Sequence, residues 1–368
     1  MAFNRRDFLF ASGAALVSSS VANASTPWSS FINSFPTAQP TPRKLIIDAD
    51  PGVDDTVSIL LALKSREVSV EALTVVAGNV EANYGTRNAL TIVEVAGRTD
   101  IPVALGAERP LMRTPISARP YHGANGFGNV VRPEPKNKLV NQHAMDLIIS
   151  RVKASPGAIS ILSLGPLTNI ALALMKDPSI APQIAELAFM GGTVLSNGNV
   201  TPVATFNIYA DPEAARIAVN SGIPKITMVG TDVTTKVKFT GNDFDTLEKV
   251  GTPVAKLVTE MGRFRLNRAS TSDPQNRTTG FNDLSTTVAM LDHSLFTIEA
   301  MKVDVETKGE LTTGMTVANK RNIVVKIGPD GDHLGLIGNE PVKPNVDVAT
   351  GIQEEKVRRF FLDRVGAS

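Results

Sequence analysis

Leu45-Ile46-Ile47-Asp48-Ala49-Asp50-Pro51-Gly52-Val53-Asp54-Asp55 is the segment from which the fold is read. A short apolar run from Lys44 to Ala49 predicts a strand, and Asp55 to Leu63 follows at once with helical spacing. At the carboxyl end of a parallel strand, side chains at such a junction point into the crevice where ligands bind. Asp54 or Asp55 can cap the new helix, but capping accounts for one carboxylate and the junction carries four. Carboxylates this close repel one another unless a cation or shared protons hold them. Oxygen ligands of this kind select a hard cation, Ca²⁺ or Mg²⁺.

Working outward, Val70 to Ala77 reads as a second strand rich in β-branched residues, and Gly85 to Val95 as a helix. Strands recur at Ile159–Ser163, Leu187–Met190 and Ile226–Val229, with helices between them at Leu167–Met175 and Pro212–Asn220. This alternation predicts an α/β fold with a mainly parallel central sheet and helices on both faces, an open Rossmann-like sheet. A last helix, Gln353 to Val365, places Val357, Phe360, Phe361 and Val365 on one face for the core. Residues 106–138 and 267–282 lack periodicity, as binding loops and lids do.

The composition narrows the chemistry. The chain has 368 residues and no cysteine, which removes disulfides, thiolate metal sites and cysteine nucleophiles. A metal must therefore use oxygen or one of four histidines, His122, His143, His293 and His333. The net charge is +1, with no block of like charge, so nucleic acid and anionic membranes are disfavoured and a small-molecule partner is expected. Residues 1–24 combine Arg5-Arg6, an apolar run from Phe8 to Val17 and a small-residue cleavage site at Ala22-Asn23-Ala24. This is the layout of an export signal, and Asn4-Arg5-Arg6-Asp7-Phe8-Leu9 resembles the twin-arginine type, which implies a periplasmic or secreted protein with no membrane anchor after cleavage. Residues 25–43 form a Pro/Ser/Thr-rich spacer, and a single domain is expected over 44–368.

Asp48 to Asp55 resembles the N-terminal fingerprint of the nucleoside hydrolases, and the likeness continues in order along the chain. Val76-Ala77-Gly78-Asn79 with Thr86-Arg87-Asn88-Ala89 is similar to the next family segment, and Ser163-Leu164-Gly165-Pro166-Leu167-Thr168-Asn169-Ile170-Ala171 to the central one. Met190-Gly191-Gly192, Gly198-Asn199-Val200-Thr201-Pro202 and Phe206 to Ala215 follow. The resemblance implies Ca²⁺-dependent hydrolysis of the N-glycosidic bond of a ribonucleoside, usually by a homo-oligomer. It implies Asp50, Asp55, Asp283 and the carbonyl of Leu164 as metal ligands, with Asp50 also the base that takes the proton of water. It further implies Asp54 for the 2′-hydroxyl, Asn79, Met190, Asn199 and Asn207 for the 5′ side of the sugar, and His122 and Asn282 near the base.

Two positions depart from the family pattern. Thr205 stands where a glutamate usually contacts the 5′-hydroxyl, and Asn282 where a histidine precedes the metal-binding aspartate; Leu284 replaces the proline after that pair. Asparagine cannot protonate a leaving base, so 5′ recognition and leaving-group activation are expected to differ. These losses keep open a receptor that grips the ribosyl group without turnover, although the retained Asp50 favours an enzyme. An aspartate-nucleophile phosphatase, which also opens on Asp-x-Asp, fits Pro51 and the Asp54-Asp55 pair poorly.

Overall fold

The computed structural model describes residues 41–269, 277–320, 324–327, 334–337 and 342–367. The expected export signal and the spacer as far as residue 40 lie outside these, as do residues 270–276 of the second irregular stretch. Among the described residues thirteen strands run in chain order: β1 (Arg43–Ala49), β2 (Val68–Val75), β3 (Val103–Leu105), β4 (Ile159–Ser163), β5 (Ile184–Met190), β6 (Ile226–Val229), β7 (Phe239–Thr240), β8 (Thr278–Thr279), β9 (Phe296–Val305), β10 (Thr316–Asn319), β11 (Val324–Ile327), β12 (Leu334–Ile337) and β13 (Val346–Ile352). Nine of them form one sheet in the order β10-β9-β13-β6-β5-β4-β1-β2-β3, and β7-β8 and β11-β12 pair separately.

From β13 across to β3 every neighbouring pair is parallel, as expected. The antiparallel margin made by β9 against β13 and β10 was not anticipated. Its exposed face explains this. Strand β9 has no buried residue over Phe296–Ala300 and alternates buried with half-buried residues only over Met301–Val305, so it lacks the continuous apolar run of a strand covered on both faces.

β1 shows how the two helical layers arise. Leu45 and Ile47 face one apolar layer, shared with the helices Val53–Leu63, Pro253–Arg268 and Asn282–Leu291. Ile46 faces the other, shared with Ala144–Ala154, Thr168–Lys176 and Pro212–Val219. All three side chains are fully buried, each contributing roughly 1.5–3 kcal/mol. In the C-terminal helix, Glu354–Val365, three of the four expected core residues are fully buried. Phe360 is the exception: it is half-buried, packed at the edge of the core beneath the Arg364 guanidinium, which lies 4.9 Å from its ring centroid.

The chain runs β1 to β2 to β3 on one side of β1, then returns through β4 on the other. The connections therefore diverge between β1 and β4, and the crevice opened there at the strands' carboxyl ends is where open α/β sheets take ligands. Asp50 and Leu164 stand at its two lips, immediately after β1 and close after β4.

Candidate active site

Asp48, still within β1, is wholly buried and accepts hydrogen bonds from Thr74 Oγ1 (2.5 Å) and Asn169 Nδ2 (2.8 Å). Burial pushes its carboxyl up to about 7 against those two bonds. Asn169 also donates to the carbonyl of Val75 and accepts from the amide of Ala107, so it stitches together the ends of three strands. Sequence reading quoted Asn169 within a motif and gave it no role; only the spatial meeting of β1, β2 and β3 shows one.

The three remaining carboxylates of the junction turn toward the crevice. Asp50 Oδ2 accepts from the Asn79 amide (2.7 Å). A Cβ on Gly78 would lie 2.0 Å from that same oxygen, and one on Gly165 2.7 Å from Oδ1, so only glycine lets both backbones close around Asp50. Asp55 Oδ2 accepts from the Gly52 amide (3.0 Å) and from Asn79 Nδ2 (2.9 Å), so it also caps the helix it begins. The Oδ1 atoms of Asp50 and Asp55 are buried without a hydrogen-bond partner. Asp283 arrives from the first turn of the helix Asn282–Leu291.

Oxygens of Asp54, Asp55 and Asp283 lie within 4.8 Å of one another, all three residues buried. This triad shares Asp55 and Asp283 with the carboxylate set implied by resemblance and has Asp54 where that set has Asp50. Burial first, and then the neighbouring carboxylates, raises Asp50 and Asp283 well above the ordinary range and Asp55 to about 6. Charge of one sign has been gathered in a dry site, with unpartnered oxygens aimed inward. That arrangement fits a hard divalent cation, which would supply the missing counter-charge and occupy those oxygens.

Above the cluster opens a cavity of about 390 Å³. Nine of the eleven residues singled out from sequence line it: Asp54, Asn79, His122, Leu164, Met190, Asn199, Asn207, Asn282 and Asp283. Asp50 and Asp55 lie beneath its floor. Asn207, on the short helix Phe206–Ala210, donates through Nδ2 to the Leu164 carbonyl (2.5 Å) and the Met190 carbonyl (3.1 Å). Asn199 Oδ1 accepts from the Phe206 amide (2.7 Å) and so caps that helix. Asp211 caps the next one through Ala214, and its second oxygen holds Leu111 and Thr168.

Thr205 immediately precedes the helix Phe206–Ala210. Its side chain is fully buried, with Oγ1 accepting from the Gly192 amide (2.8 Å), and it is absent from the cavity lining.

His122 belongs to a turn of helix, Arg119–His122, inside the first irregular stretch, and it is buried there. Its Nδ1 accepts from the Val53 amide (3.0 Å), which puts the ring proton on Nε2. Asp54 Oδ1 lies 3.5 Å from the same Nδ1, close enough for an ion pair in a charged ring. Burial nevertheless lowers the imidazole to about 4 despite the pull of Asp54, and with Nδ1 already accepting, the neutral form is the one present near pH 7. The lining residues that sequence reading missed are Arg265, Pro120, Tyr121, Val200, Phe206, Tyr209 and the stretch Ile116–Ala118. They come from helix ends and irregular loops, where periodicity carries no signal about orientation.

Comparison with known proteins agrees with the geometry. The profile described as inosine-uridine preferring nucleoside hydrolase matches residues 45–359. An uncharacterised protein of Schizosaccharomyces pombe is 40% identical over 325 residues, covering 88% of this chain and 99% of its own. A pyrimidine-specific ribonucleoside hydrolase of Escherichia coli is 37% identical over 321 residues, covering 87% and 97%. Among solved structures, a plant nucleoside hydrolase superposes with a TM-score of 0.79 at 36% identity, over 89% of this chain and all of that one. A purine-preferring ribonucleoside hydrolase from Gardnerella vaginalis gives 0.78 at 30% identity, over 88% and 98%.

Proposed function

The chain belongs to the inosine-uridine preferring nucleoside hydrolase family and is a ribonucleoside hydrolase, and on that premise we propose how its own residues do the work. The carrying observation is the buried triad of Asp54, Asp55 and Asp283 beneath the cavity, with the unpartnered oxygens of Asp50 and Asp55 beside it. Calcium is the cation we assign: an all-oxygen site of carboxylates and carbonyls on loop ends suits a large, flexible coordination sphere. Asp55, Asp283, the free Oδ1 of Asp50 and the second lone pair of the Leu164 carbonyl would hold it. When bound, the ion would supply positive charge for the sugar diol and make water more acidic.

Asp54, which borders both the cluster and the cavity, accepts from the ribose 2′-hydroxyl. Asp50 takes the proton of the attacking water through Oδ1, its other oxygen being fixed by Asn79. Asn79, Met190, Asn199 and Asn207 receive the 5′ side of the sugar, the two helix-bound asparagines arriving already oriented by Phe206 and Leu164. His122 and Asn282 border the base. As C1′ becomes cation-like in the transition state, the buried carboxylates stabilise it electrostatically.

The test is to incubate the protein with Ca²⁺ and a panel of ribonucleosides and assay released reducing sugar, with and without chelator. Chelator-sensitive release is expected, restored by Ca²⁺. Release that persists in chelator would sink the metal assignment, and release restored only by another cation would sink calcium.

We also propose twin-arginine export, from Arg5-Arg6 and the apolar run after them, and a homo-oligomeric assembly. Retention in the cytoplasm of an otherwise unchanged chain would contradict the first, and a monomer by light scattering the second.

A further inference from the structure

Cleavage of a nucleoside leaves an electron pair on the base, and among the described residues that line the cavity no strong acid stands ready to quench it. Asn282 has no proton to give. His122 has its Nδ1 occupied by the Val53 amide, so it offers only the N–H of a neutral ring. One cation lines the cavity among the described residues, and it is Arg265. This arginine sits in the last turn of the helix Pro253–Arg268, half-buried. Its Nη2 donates to the Gly280 carbonyl at 3.3 Å, which steadies the guanidinium beside Asn282 and Asp283. No hydrogen bond from Arg265 to Asp54 or Asp283 consumes its other donors.

We propose that Arg265 receives the departing base as an anion, replacing proton donation with charge, and that it selects bases in which a ring carbonyl adjoins the departing nitrogen. The inference rests on the reading that ribosides are cleaved in this cavity. A guanidinium does not surrender a proton near neutral pH, but it presents a planar fork of N–H donors. In a departing pyrimidine the former glycosidic nitrogen adjoins a ring carbonyl, and this O=C–N⁻ unit has the shape and charge of a carboxylate, which that fork matches bidentately. Adenine has no such carbonyl and gains less.

The step balances as follows. The C1′–N bond breaks with its pair going to the base, and the oxygen of water bonds to C1′. The water proton passes to Asp50 and on to solvent, while the base anion leaves against Arg265 and takes a proton from bulk water.

The test compares R265Q and R265K with wild type on uridine, adenosine and p-nitrophenyl riboside, whose phenolate leaves without help. R265Q should lower kcat/KM on uridine about 100-fold, as loss of one transition-state donor does. It should cost p-nitrophenyl riboside less than about threefold, because that leaving group draws no help from the site. R265K, keeping charge without the fork, should recover roughly a tenth of the uridine rate. Wild type should favour uridine over adenosine. A second readout needs no turnover: 5-nitrouracil, anionic at slightly alkaline pH, should bind R265Q about tenfold more weakly while ribose binds unchanged.

Equal loss on uridine and p-nitrophenyl riboside, or unchanged 5-nitrouracil binding, overturns the role of Arg265 and leaves the cavity reading intact. A wild type that cleaves none of the three ribosides and binds no ribose overturns the cavity reading, and this inference with it.

Discussion

Two buried carboxylate sites, at opposite edges of the same sheet, have been treated oppositely by the chain. At the amino ends of the strands, Glu186 in β5 is nearly inaccessible. Its Oε1 accepts from Thr227 Oγ1 (2.9 Å), with His293 Nε2 at 3.1 Å and Lys225 Nζ at 3.2 Å, while Arg43 lies 3.7 Å from Oε2. Burial alone would raise its pKa, yet His293, Lys225 and Thr227 outweigh burial and hold it at about 2. At the carboxyl ends, Asp50, Asp55 and Asp283 suffer the same desolvation and are pushed up, because their nearest charges are each other. The difference teaches what each site is for. Where the fold needs an ion pair it provides the cations itself; where its carboxylates outweigh the single Arg265 beside Asp283, a further cation must come from outside.

The comparison breaks most sharply at Asp283. Asp283→Asn should lower kcat by about 10³-fold or more, the scale of several kcal/mol of lost charge stabilisation, with weakened Ca²⁺ binding by calorimetry. The same variant without cation should be no less stable than wild type, since it removes one member of a repelling cluster. A D283N protein that keeps wild-type activity would dissolve the contrast.

Next in size is the cation's effect on folding. At a concentration about 100-fold above its Kd, Ca²⁺ should add about 2.7 kcal/mol to the unfolding free energy of wild type, read from urea denaturation. Wild type unfolding identically with Ca²⁺ and with chelator would mean that the cluster is not a cation site.

At the other edge, Glu186→Gln should destabilise by about 1–2 kcal/mol whether or not Ca²⁺ is present, a modest figure because its partners are partly exposed to solvent. Dependence of that loss on Ca²⁺ would contradict the separation of the two sites.

The remaining effect is in pH. Asp48 and Asp55, raised to about 7 and about 6, bind protons in the folded chain where unfolded carboxyls do not. Their contribution is fully present below the ordinary carboxylate value and lost as pH rises through about 6 to 7. Glu186 has the opposite sign: it stabilises above the ordinary glutamate value of 4.5, and that stability is lost as pH falls toward about 2. Cation-free protein should therefore gain stability between about pH 8 and pH 5, and saturating Ca²⁺ should flatten the slope. A cation-free slope of the opposite sign would count against the raised carboxylates.

Most of the parallel sheet was legible because its strands are covered on both faces and read as short apolar runs between helices. The carboxylate junction was legible because its four aspartates fall within eight residues of chain. The antiparallel margin was not, since only Met301, Val303 and Val305 of β9 are buried and its apolar pattern weakens. Glu186 carries no local mark, because its partners come from residues 43, 225, 227 and 293.

The sequence by itself determined the strand–carboxylate–helix junction, the α/β alternation, the exclusion of thiol chemistry and the family resemblance, all of which are local or ordered along the chain. Only the tertiary structure decided which three aspartates converge, that Thr205 turns away from the cavity, that His122 is buried and neutral, and that Arg265 faces the cavity. Those are facts of distance and desolvation. They depend on side chains brought together from remote parts of the chain, and neither spacing nor periodicity encodes where a loop or a helix end will meet them.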